Sequence, residues 1–157
     1  AIMEQSIELA KELFSDADRL AFRDIDIRRA YAESLPQISC FPDELGQVFT
    51  RLLRSAFYAL KDVERAAGDR PQITIEIGQF IDSLWIKVEH KGETLSAAAQ
   101  VEIFEPFFSI STDASNCPVE QRLSYPYFII TEHHRGHMSV TSDETLGTCF
   151  NIQLSLD

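Results

Sequence analysis

The sequence predicts an α+β fold: a two-layer α/β sandwich with helices gathered on one face of a mixed, mostly antiparallel sheet. Three observations point there. One long stretch carries a wide apolar stripe at helical spacing, through Leu45, Val48, Phe49, Leu52, Leu53, Ala56, Phe57, Leu60 and Val63. Two neighbouring segments alternate apolar and polar residues, one through Ile73, Ile75 and Ile77 and one through Leu84, Ile86 and Val88. A third alternation, Phe150, Ile152, Leu154 and Leu156, closes the chain. Helical and two-residue periods set side by side imply helices packed on a half-buried sheet.

The elements follow in order. Glu4 to Phe14 places Ile7, Leu9, Ala10, Leu13 and Phe14 on one helical face, and residues 1–14 read as the end of a helix arriving from upstream. Asp24 to Ile27 alternates as a short strand, and Leu35 to Cys40 reads as a second extended piece. Pro42, Asp43 and Glu44 open the long helix. Proline lacks only a hydrogen that the first turn leaves unpaired, and acids complement the helix dipole. Gly68 and Pro71 are expected to end that helix. The next two strands lie close enough to pair as an antiparallel hairpin. Gly92 to about Arg122 is the least regular stretch, with a short helix expected within Ser96 to Ile103. Tyr125 to His134 returns to helical spacing, and two strands joined by a turn at Asp143 to Gly147 finish the chain.

A length of 157 residues suits one domain, so residues 1–157 are read as a single unit. Hydrophobic residues make up 45% and charged residues 25%, as in soluble globular proteins. No apolar run approaches the roughly 18–20 residues that span a bilayer, and no basic-then-apolar leader opens the chain. The net charge of −11 disfavours nucleic acid and anionic membranes, which need clustered Lys and Arg. Cys40, Cys117 and Cys149 show no metal or disulfide spacing and read as reduced thiols of a cytoplasmic domain. The full-length protein remains open to membrane anchoring through other segments.

Four stretches resemble the ATP-binding domain of sensor histidine kinases, in the order and spacing of that family. The long helix from Glu44 to Leu60 matches its Asn-box helix. Leu84 to Gly92 matches the strand entering the first Gly box. Ile103-Phe104-Glu105-Pro106-Phe107-Phe108 matches the Phe box, and Ile130 to Leu154 matches the closing segment. Together they cover roughly Pro42 to Leu156. The resemblance implies the histidine-kinase ATPase, or Bergerat, fold of the GHKL superfamily.

It also implies a chemistry, position by position. The family's Mg²⁺-holding Asn falls on Ser55, and the Asn one turn earlier falls on Arg51. Hydrolytic relatives place their water-activating Glu at that same Arg51 position. The Asp that accepts a hydrogen bond from the adenine amino group falls on His90, while Glu89 is one place off and faces the other side of a strand. Gly92 matches the first glycine of its box, but the second is Thr94. The second Gly box, whose bare backbone would approach the phosphates, falls on Gln121-Arg122-Leu123-Ser124. Phe107 completes the expected nucleotide-facing set. ATP and Mg²⁺ are therefore the ligands the resemblance implies, and the substitutions predict that both are lost.

The reading is a histidine-kinase-type ATPase domain that has become a pseudokinase and acts by protein contact. Its partners would be its own phosphoacceptor hairpin, a response regulator or a sensor domain, with dimerisation through upstream segments. The alternatives are an active catalytic domain that phosphorylates a histidine on an upstream helix hairpin, and the C-terminal domain of a phosphotransfer protein. His133, His134 and His137 lack metal-ligand spacing, and Arg51 and Arg54 read as solvated helix-face charges before they read as phosphate ligands.

Overall fold

The computed structural model describes residues 1–16, 20–63, 65–66, 68–105 and 121–156. In chain order the elements are α1 (Ile2–Leu13), a 3-10 turn (Phe22–Asp24), β1 (Asp26–Tyr31), α2 (Pro42–Lys61), β2 (Gln72–Phe80) and β3 (Ser83–His90). Then come α3 (Ala97–Glu102), α4 (Ser124–Phe128) with a π-helical continuation (Ile129–His133), β4 (His137–Asp143) and β5 (Gly147–Ser155). The strands form one sheet in the order β1-β2-β3-β5-β4. β1 runs parallel to β2, and the other neighbours pair antiparallel. This is the α+β sandwich the sequence predicts.

The alternation read from the sequence is the burial pattern of the sheet. β3 buries Leu84, Ile86, Val88 and His90 and leaves Trp85, Lys87 and Glu89 half-exposed on the opposite face. β5 adds Thr148, Phe150, Ile152 and Leu154 to the buried face. α2 covers that face with Leu45, Val48, Phe49, Leu52, Leu53, Ala56, Phe57 and Leu60. Each of the buried Val, Leu, Ile and Phe side chains contributes about 1.5–3 kcal/mol by leaving water.

α1 is fastened at both ends. Near its start the Glu4 carboxylate accepts from Arg29 Nε (2.8 and 3.0 Å) and from the Tyr31 hydroxyl (2.6 Å), both on β1. The Arg29 hydrogen bond holds the Glu4 carboxyl below its ordinary value, and burial together with Glu4 raises the Tyr31 phenol. Just past its end, Phe14 stacks on Phe57 of α2 at 6.1 Å and meets Phe22 edge-on at 6.2 Å.

Several boundaries differ from the sequence expectation, each for a local reason. α2 stops at Lys61, before Gly68. The Leu60 carbonyl accepts from Val63 N (3.3 Å) and from the Arg65 guanidinium, so a tight turn replaces the next helical bond and Val63 leaves the stripe. The first strand begins at Asp26, because Ile25 N donates to Phe22 O and closes the 3-10 turn (3.0 Å). Leu35 to Cys40 joins no strand ladder. Pro36 has no N–H to give one, and the segment instead packs Ile38 and Cys40 against the core. The expected helix at Tyr125 to His134 is a five-residue α-helix that widens into the π turn. α3 starts as expected at Ser96, whose hydroxyl accepts from Ala99 N at 3.1 Å.

Candidate functional site

The positions singled out by the sequence converge where α2, the end of β3, Ile103 and the approach to α4 meet. Ser55 sits on the buried face of α2 at 2% exposure. Its hydroxyl donates to the carbonyl of Gln121 at 3.2 Å. Leu123 N donates to Ile103 O at 2.7 Å, and both of these side chains are fully buried. Gln121 and Arg122 are buried too. Residues 121–123 are thus packed, side chains included, against the helix and the Ile103 turn. Pro126 lies within the first turn of α4, where its missing N–H has no intrahelical partner to lose.

His90 ends β3 on the buried face, opposite Ile73 of β2 and Thr148 of β5. Burial lowers its pKa from 6.5 to about 4, so the ring is neutral at pH 7. Its Nδ1 accepts from Gly92 N at 3.2 Å. A neutral imidazole with Nδ1 accepting carries its proton on Nε2, so the free side of the ring is a donor. Next to it the Thr148 and Ser142 hydroxyls are paired at 2.7 Å, and Ser142 Oγ accepts from Leu95 N at 3.0 Å. Thr148 and Ser142 were not singled out from the sequence, although both lie in the closing segment that carries the resemblance.

Gly92 is placed by packing. A Cβ there would lie 2.6 Å from the carbonyl oxygen of Ala59 on α2, and the following Glu93 N donates to that same oxygen at 2.9 Å. Gly136, in the closing segment, is equally confined: its Cβ would lie 2.4 Å from Gln153 O.

The remaining candidates separate. Arg51 lies over the ring of Tyr125 at 5.2 Å, a cation–π contact joining α2 to α4, in place of the solvated charge expected. Arg54 is half-buried on the same helix. Phe107 and Cys117 lie outside the described residues. Within the Phe box, Ile103 is core and Phe104 stacks on Tyr127 at 5.0 Å. The histidines point to different partners. His133 Nδ1 meets the Glu44 carboxylate at 2.9 Å. His134 Nε2 accepts from Phe41 N at 3.1 Å while its Nδ1 meets Ile129 O at 3.0 Å. His137 is exposed on β4. Cys40 and Cys149 are free thiols, and burial together with neighbouring Glu89 pushes the Cys149 thiol up to about 12, far from a reactive thiolate.

A two-layer sandwich with a mixed five-stranded sheet and polar positions gathered at one end of its long helix is the architecture of the histidine-kinase ATPase class. Solved structures share it. The catalytic domain of histidine kinase ThkA, in a nucleotide-free form, superposes with a TM-score of 0.73 at 18% identity, covering 99% of this chain and 92% of that one. The mycobacterial sensor histidine kinase MprB gives 0.70 at 18% identity, over 98% and 93%. The family described as histidine kinase-, DNA gyrase B-, and HSP90-like ATPase matches residues 41–157. The chain belongs to that family. Sporulation kinase E of Bacillus subtilis (strain 168) is 29% identical over 122 residues, 78% of this chain. Sensor histidine kinase ZraS of Escherichia coli (strain K12) is 26% identical over 135 residues, 86% of this chain. The chain spans only 15% and 26% of the lengths of these two relatives. Among the described residues no helix is long and apolar enough to cross a membrane.

Proposed function

We propose that this chain is the ATPase-like domain of a two-component sensor protein in which nucleotide binding has been given up, and that it works in the cytoplasm by protein contact. The partners are signalling proteins: a phosphoacceptor hairpin, a response regulator or a sensor domain. The observation that carries the reading is Ser55. At the position where the resemblance implies an Mg²⁺-holding oxygen, the hydroxyl is buried and spent on the Gln121 carbonyl. A hard cation needs several oxygen ligands reachable from solvent, and a hydroxyl 2% exposed beneath the Gln121 main chain offers it no open approach.

The neighbouring positions support the same conclusion. Where a carboxylate would accept from an adenine amino group, neutral His90 offers a donor. Where bare backbone would approach phosphates, the side chains of Gln121, Arg122 and Leu123 are packed. The residues present therefore do not fit a nucleotide–Mg²⁺ group.

Calorimetric titration with ADP and ATP in the presence of Mg²⁺ tests the proposal. The expected result is no saturable heat up to about 1 mM nucleotide, the weak end of ordinary ligand affinity. Micromolar binding that adenine analogues compete away would overturn the proposal and restore the active catalytic domain.

A further inference from the structure

A cavity of about 360 Å³ lies where the connection between α2 and β2 meets the ends of β2 and β3 and the β4–β5 turn. Of the cleft residues described above it shares only His90. Three cations line it: Arg65, Arg70 and Lys91. Arg70 is held in place by the Asp24 carbonyl, which accepts from both Nε and Nη2 at 3.3 Å. Arg65 is held by the Leu60 carbonyl, the same oxygen that ends α2.

Two carboxylates, Asp69 and Glu89, share the wall. Among the described residues no ion pair within 4.0 Å joins either of them to the three cations. Glu89 Oε1 instead accepts from Cys149 Sγ at 3.6 Å. A chain with 25 acidic and 14 basic residues has carboxylates in excess, so three cations gathered without carboxylate contacts are notable. A further polar group in the wall, His90, is 4% exposed, and its Nε2–H has no hydrogen-bond partner among the described residues.

We propose that this cavity binds a small phosphate-bearing molecule through Arg65, Arg70 and Lys91. Carbonyl-tethered guanidiniums have lost part of their rotamer freedom before any ligand arrives, which lowers the entropic cost of binding. Their remaining N–H groups and the Lys91 ammonium suit the tetrahedral, multiply charged acceptor that a phosphate presents. A cavity of this size admits a compact ligand. The site meets the cleft at His90 alone, and its three cations lie outside that cleft.

The test is a titration of the isotopically labelled 157-residue chain with inorganic phosphate, and in parallel with a simple phosphomonoester, followed by amide and imidazole resonances. Sodium chloride holds the ionic strength constant. Saturable shifts at Lys91, Leu146 and the His90 ring are expected, with half-saturation at or below about 10 mM. A tighter response to the monoester identifies a phosphorylated compound as the ligand; equal responses identify free phosphate. Arg70→Gln should weaken binding about tenfold, as removal of one charge-assisted contact does. Lys91→Gln, at an exposed position whose ammonium makes no hydrogen bond or ion pair among the described residues, should do the same without touching the Asp24 tether. The proposal is overturned by a linear, unsaturated response, by shifts centred on Ser55 and Leu123, or by unchanged affinity in Lys91→Gln.

Discussion

Two sets of positions that the resemblance singles out behave in opposite ways. On one side are Gly92 and Gly136, which match the resemblance and where one added methyl would strike main-chain oxygens at 2.6 and 2.4 Å. On the other side are Ser55, Thr94 and the run from Gln121 to Ser124, which depart from it. Neighbouring protein atoms enforce the first set, through Ala59 and Gln153. The second set would be enforced by a ligand, and its members have turned inward or outward instead: Ser55 to the Gln121 carbonyl, Thr94 to solvent. The glycines that remain are those the fold itself requires. The difference separates positions that neighbouring protein atoms hold from positions that only a bound ligand would hold.

Four substitutions or conditions break or sharpen that contrast, from largest to smallest. Gly136→Ala should cost roughly 3–4 kcal/mol in urea unfolding, because the obstacle is backbone and cannot rotate away. A cost under about 1 kcal/mol would mean that the glycine is not held by packing.

Second comes acid. The folded pKa of His90, about 4, lies below the 6.5 of the unfolded chain. Its contribution to stability is complete above pH 6.5 and falls as the unfolded chain takes up the proton between 6.5 and 4. The shift corresponds to about 3 kcal/mol. The lowered Glu4 carboxyl acts in the same direction at lower pH, so the His90 part is read as the difference between the natural chain and His90→Asn. The asparagine carbonyl can still accept from Gly92 N, and this variant should show a flatter stability profile from pH 7 to pH 4.5.

Third, Ser55→Ala should destabilise by about 1 kcal/mol, the net worth of one buried hydrogen bond, and leave the calorimetric response to nucleotide unchanged. A nucleotide response lost on this change would move Ser55 from the fold to a ligand. Smallest is Arg51→Gln, which gives up the contact with Tyr125 and should cost about 0.5 kcal/mol in the same unfolding assay.

The fold was largely legible because its signals are periodic. The stripe from Leu45 to Leu60 and the alternations in β2, β3 and β5 each specify a buried face without reference to the rest of the chain. Boundaries were less legible where one atom decides them, as when the Leu60 carbonyl takes Val63 N and Arg65 in place of the next helical turn. The candidate site was legible as a set of positions, because the resemblance aligned Ser55, His90 and Gly92 with a cleft. What those residues do there was not. The Ser55 to Gln121 bond links residues 66 apart, and the proton on His90 Nε2 follows from a contact with Gly92 that only folded geometry supplies. Arg51 reads as solvated until Tyr125 is seen beneath it.

The fastening of α1 has a mechanical consequence. Glu4 ties one end to Arg29 and Tyr31 on the edge strand, and Phe14 ties the other to Phe57 on the central helix. A rod pinned at two points along its length cannot roll or slide without dragging both anchors. A push on α1 is therefore felt at the sheet edge and at the helix carrying Ser55 together.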